Sequence, residues 1–176
     1  MSNASGFYID SLVHTDAKNL FSLINENSDF FGKYLPITLA QNKTLVASEA
    51  YIARKAEEKE AKKTLTLSIK EKETNAIAGL IILKNINLND KHAELAYCMG
   101  AAFNGRGWTT EAVRRMSQHA AETLGIKTLQ IITHKTNIGS CKVAEKTGFI
   151  WQRTLKKEFT PPNGKALDME LYELSL

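Results

Sequence analysis

Met99-Gly100-Ala101-Ala102-Phe103-Asn104-Gly105-Arg106-Gly107-Trp108-Thr109-Thr110-Glu111-Ala112 runs from an apolar strand, through a loop holding two glycines, into an amphipathic helix. Gly105 and Gly107 let the backbone turn through conformations closed to other residues. Several N–H groups then face inward at the positive end of the helix dipole. The junction reads as a phosphate cradle, and an anionic cofactor is its natural guest.

Working outward, three β-like segments precede the cradle. Thr64 to Ile69 alternates apolar Leu65, Leu67 and Ile69, Ala76 to Leu83 is a continuous apolar run, and Ala93 to Met99 is the third. Their short links predict antiparallel hairpins. After the cradle, Ala112, Val113, Met116, Ala120 and Leu124 share one helical face, and Gly125 ends that helix. Leu129 to Thr133 then reads as a buried strand, and Asn137 to Thr147 as a short helix stopped by Gly148. Ile150 to Phe159 and Ala166 to Leu174 read as closing strands joined through Pro161-Pro162-Asn163-Gly164. Toward the N-terminus, Phe7 to Leu12 suggests a strand. Ala17, Leu20, Phe21 and Ile24 repeat at helical spacing behind Asp16 as a cap, Asn27 to Pro36 reads as a turn closed by Pro36, and Thr44 to Lys63 reads as a long helix. The order is βααβββαβαββ, an α/β (α+β) fold with a mixed central sheet of about seven strands.

The 176 residues fit one domain over residues 6–176, with 43% hydrophobic and 24% charged content. Ser2-Asn3-Ala4 resembles a cloning remnant, so residues 1–5 are expected to be disordered or tag-derived. No stretch approaches the roughly 20 apolar residues of a membrane span, and a signal-peptide pattern is missing, which predicts a cytoplasmic protein with no membrane partner. Cys98 and Cys141 lack CxxC spacing and read as reduced thiols. His14, His92 and His119 lack ligand-like spacing, so no metal is expected. The net charge of +4 suits an acidic partner or substrate without implying nucleic acid. The mixed-sign run Arg54 to Lys63 reads as a solvated helix face.

Three phosphate-binding readings compete for the cradle. A P-loop requires GxxxxGK[ST], and no lysine follows the second glycine here. A dinucleotide fingerprint requires a third glycine, an early βαβ unit and a carboxylate at the next strand end. The loop has no third glycine, antiparallel strands precede it, and the next strand ends at Thr133-His134. For the loop alone, an ordinary helix start after a glycine turn stands beside the anion site.

Asn104-Gly105-Arg106-Gly107-Trp108-Thr109-Thr110-Glu111-Ala112 resembles the [Q/R]-x-x-G-x-[G/A] acetyl-CoA loop of the GNAT N-acetyltransferase superfamily, in its RimJ/RimL-like form. Asn137-Ile-Gly-Ser140 through Lys146-Thr-Gly148-Phe149 resembles the N-x-x-S…K-x-G-F segment of the same branch, and Ala93 to Tyr97 resembles its fourth strand. Asn104 stands where Gln or Arg is usual, and Thr109 where Gly or Ala is usual. The resemblance implies that strands four and five splay apart and that coenzyme A adds its pantetheine arm beside strand four. Tyr97 and Met99 would then flank the arm, with Asn104, Gly105, Arg106, Gly107, Trp108 and Thr109 at the pyrophosphate. Asn137 and Ser140 would complete the cofactor site.

Acetyl transfer requires a neutral amine, a hydrogen-bond donor and help for the departing thiolate. A peptide α-amine, with a pKa of roughly 7.7–8.0, supplies a neutral fraction near pH 7 and needs only a weak base. Glu94 reads either as that base, acting directly or through water, or as a solvated strand carboxylate. Ser140 matches the branch's serine and reads as the acid toward the thiolate, or as a first-turn helix residue satisfying backbone donors. The tyrosine that many members place further along this helix is replaced by Ala144. Asn137 either touches the cofactor arm or caps its helix. His134 is an alternative base or a strand-end histidine, and Cys141 has no adjacent histidine to make it a nucleophile. Phe30, Phe31 and Tyr34 either line the acceptor site or pack in the core. The resemblance implies an acetyl-CoA-dependent N-acetyltransferase acting by direct attack in a ternary complex on a protein N-terminus, a ribosomal protein included. A small amine such as a polyamine, amino-acid conjugate or aminoglycoside is the enzymatic alternative, and a non-catalytic acyl-CoA-binding module the other. The chain is compatible with a homodimer, and no direct nucleic-acid binding is expected.

Overall fold

The computed structural model describes residues 6–162 and 164–176. The expectation for residues 1–5, and Asn163 of the closing turn, lie outside these described residues. Seven strands form one sheet: β1 (Phe7–Ser11), β2 (Leu65–Glu71), β3 (Ile77–Asn87), β4 (His92–Met99), β5 (Thr128–Thr133), β6 (Ile150–Phe159) and β7 (Leu167–Ser175). Their spatial order is β1-β2-β3-β4-β5-β7-β6. All neighbours pair antiparallel except β4 and β5, whose parallel pairing is reached through the crossover helix α5 (Trp108–Leu124).

Helices cover both faces, which explains why β3 reads as a continuous apolar run rather than an alternating one. On one face, α5 and α6 (Ile138–Lys146) pack Ala112, Val113, Met116, Ala120 and Ala144 against Ile81, Leu83, Leu95 and Leu129. On the other, α1 (Ala17–Glu26), α2 (Ser28–Tyr34) and α4 (Leu45–Glu60) bring Leu20, Ile24, Phe31 and Tyr51 against Leu80 and Cys98. Among the described residues, no helix is long and apolar enough to cross a membrane.

Two local expectations are corrected. The segment 27–36 is not a turn: it holds α2, and Pro36 begins α3 (Pro36–Ala40) rather than closing a loop, because proline's missing N–H costs nothing in a first helical turn. Asp16 does not cap α1 with its side chain. It instead accepts from the Val13 N–H at 3.0 Å and from Lys70 Nζ at 2.9 Å, a buried ion pair that pins the start of α1 to β2. Thr44, by contrast, caps α4 through Oγ1, which accepts from the Ala47 N–H at 3.1 Å.

One irregularity of the sheet creates the site. β4 pairs with β5 only at His92–Glu94 against Thr128–Gln130. Beyond Gln130, β5 continues along β7 alone, while Leu95–Met99 follow β3. The two parallel strands therefore splay, and the edge of β4 from Leu95 onward has no strand partner on that side.

Candidate active site

The splay opens two cavities. The larger, about 690 Å³, lies between β4, the loop 103–107 with the first turn of α5, and the loop and helix from Thr136 to Lys146. The smaller, about 70 Å³, lies beyond it among β4, β5, α2 and the β6–β7 hairpin. Phe30, Tyr34, Tyr97, Asn137 and Ser140 line both, so they form the passage between them.

The cradle has the form its sequence predicts. Gly105 and Gly107 adopt φ +77° and +74°, the left-handed region that glycine alone enters freely, and a Cβ built at either would meet nothing within 4 Å. Gly107 is the N-cap of α5 and offers no side chain, so the first-turn N–H groups have no side-chain acceptor. A helix of 17 residues thus presents uncapped donors and its positive end to the larger cavity. Asn104, Thr109 and Thr110 line this end. Trp108 opens the helix while its indole, stacked on Phe103 at 5.7 Å, fills the core.

Arg106 is a correction. Its guanidinium turns away from the cavity to Glu71 at 2.8 Å and lies over the Phe103 and Trp108 rings at 5.1 and 4.9 Å. Hydrogen bonds from Thr74 and then Arg106 hold the Glu71 carboxyl below its usual range. Arg106 therefore braces the loop against the β2–β3 hairpin. The cations that do line the cavity are Lys142 and Lys146, one helical turn apart on α6. Sequence reasoning missed them, although their i, i+4 spacing inside the second motif was the available signal.

Ser140 and Tyr97 meet in the passage. Asn137 caps α6 by accepting from the Ser140 N–H at 3.3 Å, and it lines both cavities as well. The Tyr97 hydroxyl donates to the Ser140 carbonyl at 3.0 Å, and Ser140 Oγ donates to the Tyr97 oxygen at 3.2 Å. Burial pushes the Tyr97 phenol up to about 12, so it stays protonated at neutral pH. Ala144 carries no phenol, and the tyrosine that meets Ser140 in the passage comes from β4.

Three other candidates separate. Phe30 and Tyr34 line the passage, but Phe31, its neighbour on α2, is fully buried against α1 and α4. Phe31 is a core residue, because adjacent helical positions point about 100° apart. The Tyr34 hydroxyl donates to the Thr136 carbonyl at 3.1 Å and lies 3.3 Å from Thr136 Oγ1; the hydrogen bond with that side-chain hydroxyl first, and then Lys33, lower its pKa against burial, which raises it. Glu94 is not brought to the cleft and lines neither cavity. It belongs to the last β4–β5 pair before the splay, and its carboxylate is held by Lys84 Nζ and Asn85 Nδ2, each at 2.9 Å. His134 lines the smaller cavity, with Nδ1 accepting from the Thr136 N–H at 3.2 Å. Cys141 is partly exposed and Cys98 is buried, both as free thiols. Among the described residues no group of His, Cys, Asp and Glu is arranged to hold a metal ion.

The chain has counterparts among known proteins. The model of the acetyltransferase (GNAT) domain matches residues 7–150. A Bacillus subtilis protein named as a probable N-acetyltransferase, YjcK, is 28% identical over 150 residues, covering 85% of this chain and 83% of its own length. The microcin C7 self-immunity acetyltransferase MccE, solved in complex with acetyl-CoA and AMP, superposes with a TM-score of 0.88 at 26% identity over 99% of this chain and 98% of that one. RimL, a ribosomal L7/L12 alpha-N-protein acetyltransferase solved with coenzyme A, shares the fold with a TM-score of 0.89 at 17% identity, over 98% and 96% of the two chains. With its splayed strands, its glycine cradle and a family match over most of its length, the chain belongs to the GNAT acetyltransferase family.

Proposed function

We propose that this chain transfers the acetyl group of acetyl-CoA to the N-terminal amine of a protein or peptide, by direct attack in a ternary complex. The observation that carries the reading is the passage at Tyr97 and Ser140, which joins a long cavity ending in an anion cradle to a short one. The complexes of MccE with acetyl-CoA and of RimL with coenzyme A support the cosubstrate, and RimL's activity as a ribosomal L7/L12 alpha-N-protein acetyltransferase supports a protein amine as acceptor.

The residues present fit coenzyme A. Uncapped N–H groups of α5 and the Lys142 and Lys146 ammoniums suit its phosphates, and the unpaired edge of β4 from Leu95 to Met99 suits its amide-bearing arm. Acetyl-CoA supplies an activated thioester. As the C–N bond forms and the C–S bond breaks, Ser140 Oγ gives its proton to the departing sulfur and regains one, through water, from the protonated amine; Tyr97 holds Ser140 by both its carbonyl and its hydroxyl. No carboxylate lines either cavity among the described residues, so the chamber favours a neutral amine, and water suffices to remove its proton after attack.

Acetyl-CoA is expected to raise the melting temperature, and thiol release is expected with N-terminal peptides. Gly107→Val, which places a branched side chain in the open cradle at φ +74°, should raise the KM for acetyl-CoA and leave the acceptor KM unchanged. A change confined to the acceptor KM would misplace the cradle, and no stabilisation by acetyl-CoA would refute the cosubstrate.

A further inference from the structure

Lys33 sits on the same stretch of α2 as Phe30 and Tyr34, which line the passage, and it lines the smaller cavity. Among the described residues it forms no ion pair. His134 lines the same cavity from the end of β5. His134 Nδ1 is engaged by Thr136, whose Oγ1 lies 2.8 Å and whose N–H lies 3.2 Å away, so Nε2 is the ring nitrogen outside that contact. The smaller cavity therefore offers a cation and an imidazole, with no carboxylate among the described residues lining it. These groups are surplus to the phosphates of coenzyme A, whose charges are met at the opposite end by α5 and by Lys142 and Lys146. Leu95, Ile131, Leu167 and Met169 give the chamber an apolar wall beside the polar groups of Tyr34, Tyr97, Thr133, Asn137 and Ser140. Its volume of about 70 Å³, against about 690 Å³ for the larger cavity, admits a small substituent.

Resting on the acetyl-transfer reading above, we propose that the acceptor is a primary amine borne by an anionic molecule. A small uncharged substituent beside the amine enters the chamber against its apolar wall, and a carboxylate reaches Lys33 and His134. A polyamine or aminoglycoside would instead bring ammonium groups against Lys33, with no acidic residue lining the chamber to receive them. Lys33 is solvent-exposed, so its selection acts through an attraction that salt weakens.

The test compares kcat/KM for four acceptors with acetyl-CoA saturating: the amides of Ser-Glu-Asp-Gly, Ser-Gln-Asn-Gly and Ser-Lys-Arg-Gly, and spermidine. Ser-Ala as free acid and as amide separates a main-chain carboxylate from an acidic side chain as the anion. The acidic peptide should exceed the basic one by about tenfold or more, a gap that narrows at high salt. Lys33→Glu should reverse the order, and Lys33→Met should flatten it, with melting curves confirming that both variants fold. Equal rates across the charge series, or faster turnover of spermidine, would overturn the charge selection and leave acetyl transfer standing. Stabilisation by acetyl-CoA without turnover of any acceptor would overturn amine transfer and the selection together.

Discussion

Removing the Tyr97 hydroxyl tests whether Ser140 works alone or as half of a pair. Tyr97→Phe keeps the ring, which is packed against the core beside Met99, and deletes two hydrogen bonds to Ser140, at 3.0 and 3.2 Å. Each is worth about 0.5–1.5 kcal/mol net, so the variant should lose about 1–3 kcal/mol of stability. In a chain of this size that lowers the melting temperature by about 2–12 °C. The kinetic cost comes from Ser140 Oγ, which is freed from one staggered well into three, about threefold in population. Loss of one orienting hydrogen bond adds about fivefold, from about 1 kcal/mol. Tyr97→Phe should therefore lower kcat about tenfold with the KM for acetyl-CoA nearly unchanged. Ser140→Ala, which removes the proton donor itself, should cost about 10²–10⁴-fold. Because Tyr97 acts through Ser140, the double variant should be no slower than Ser140→Ala. The assay is thiol release at saturating acetyl-CoA and peptide. A kcat for Tyr97→Phe within twofold of wild type, or multiplicative losses in the double variant, would refute the pairing.

Glu94→Gln should leave kcat within about twofold while removing the Lys84 ion pair, at a cost of about 1 kcal/mol in melting experiments; a hundredfold fall in kcat would restore Glu94 as the base. Thr66 Oγ1 is buried without a hydrogen-bond partner among the described residues, so Thr66→Val should stabilise the fold by about 1 kcal/mol in urea titrations, and destabilisation would show that the hydroxyl has an unseen partner. Burial pushes the Cys98 thiol up to about 12 from an ordinary value of 9.0. The unfolded chain therefore releases this proton first, so stability should hold below about pH 9 and fall as pH rises toward 12. Cys98→Ala should delay the onset by about one pH unit, to where the buried tyrosines begin to matter; an unchanged onset would exclude the thiol.

The elements were legible wherever one periodicity dominated. β6 has the bounds its sequence predicts, and α5 follows its apolar stripe from Ala112 to Ala120. The segment 27–36 was misread because Pro36 suits the first turn of a helix as well as the end of a loop. At the site, Gly105 and Gly107 announced a tight turn into α5, and only the resemblance of the second motif separated an anion site from an ordinary helix start. Side-chain direction was not. Phe30 and Phe31 are chemically alike neighbours, and only the packing of α2 on α1 and α4 sends one to the cleft and the other to the core. Arg106 reads as a phosphate ligand until Glu71, from a distant hairpin, claims it. Glu94 sits in the strand the motif predicts, but the splay begins one residue too late to expose it. The Tyr97–Ser140 contact spans 43 positions of sequence and depends on where α6 lands beside β4.

Acetylation followed by mass spectrometry tests the central claim most directly. A peptide with a free α-amine and an internal lysine is incubated with acetyl-CoA and either wild type or Ser140→Ala. The account predicts acetyl label on the α-amine alone, accumulating about a hundredfold or more slowly with Ser140→Ala. Label on the lysine, or equal rates from the two proteins, would contradict it.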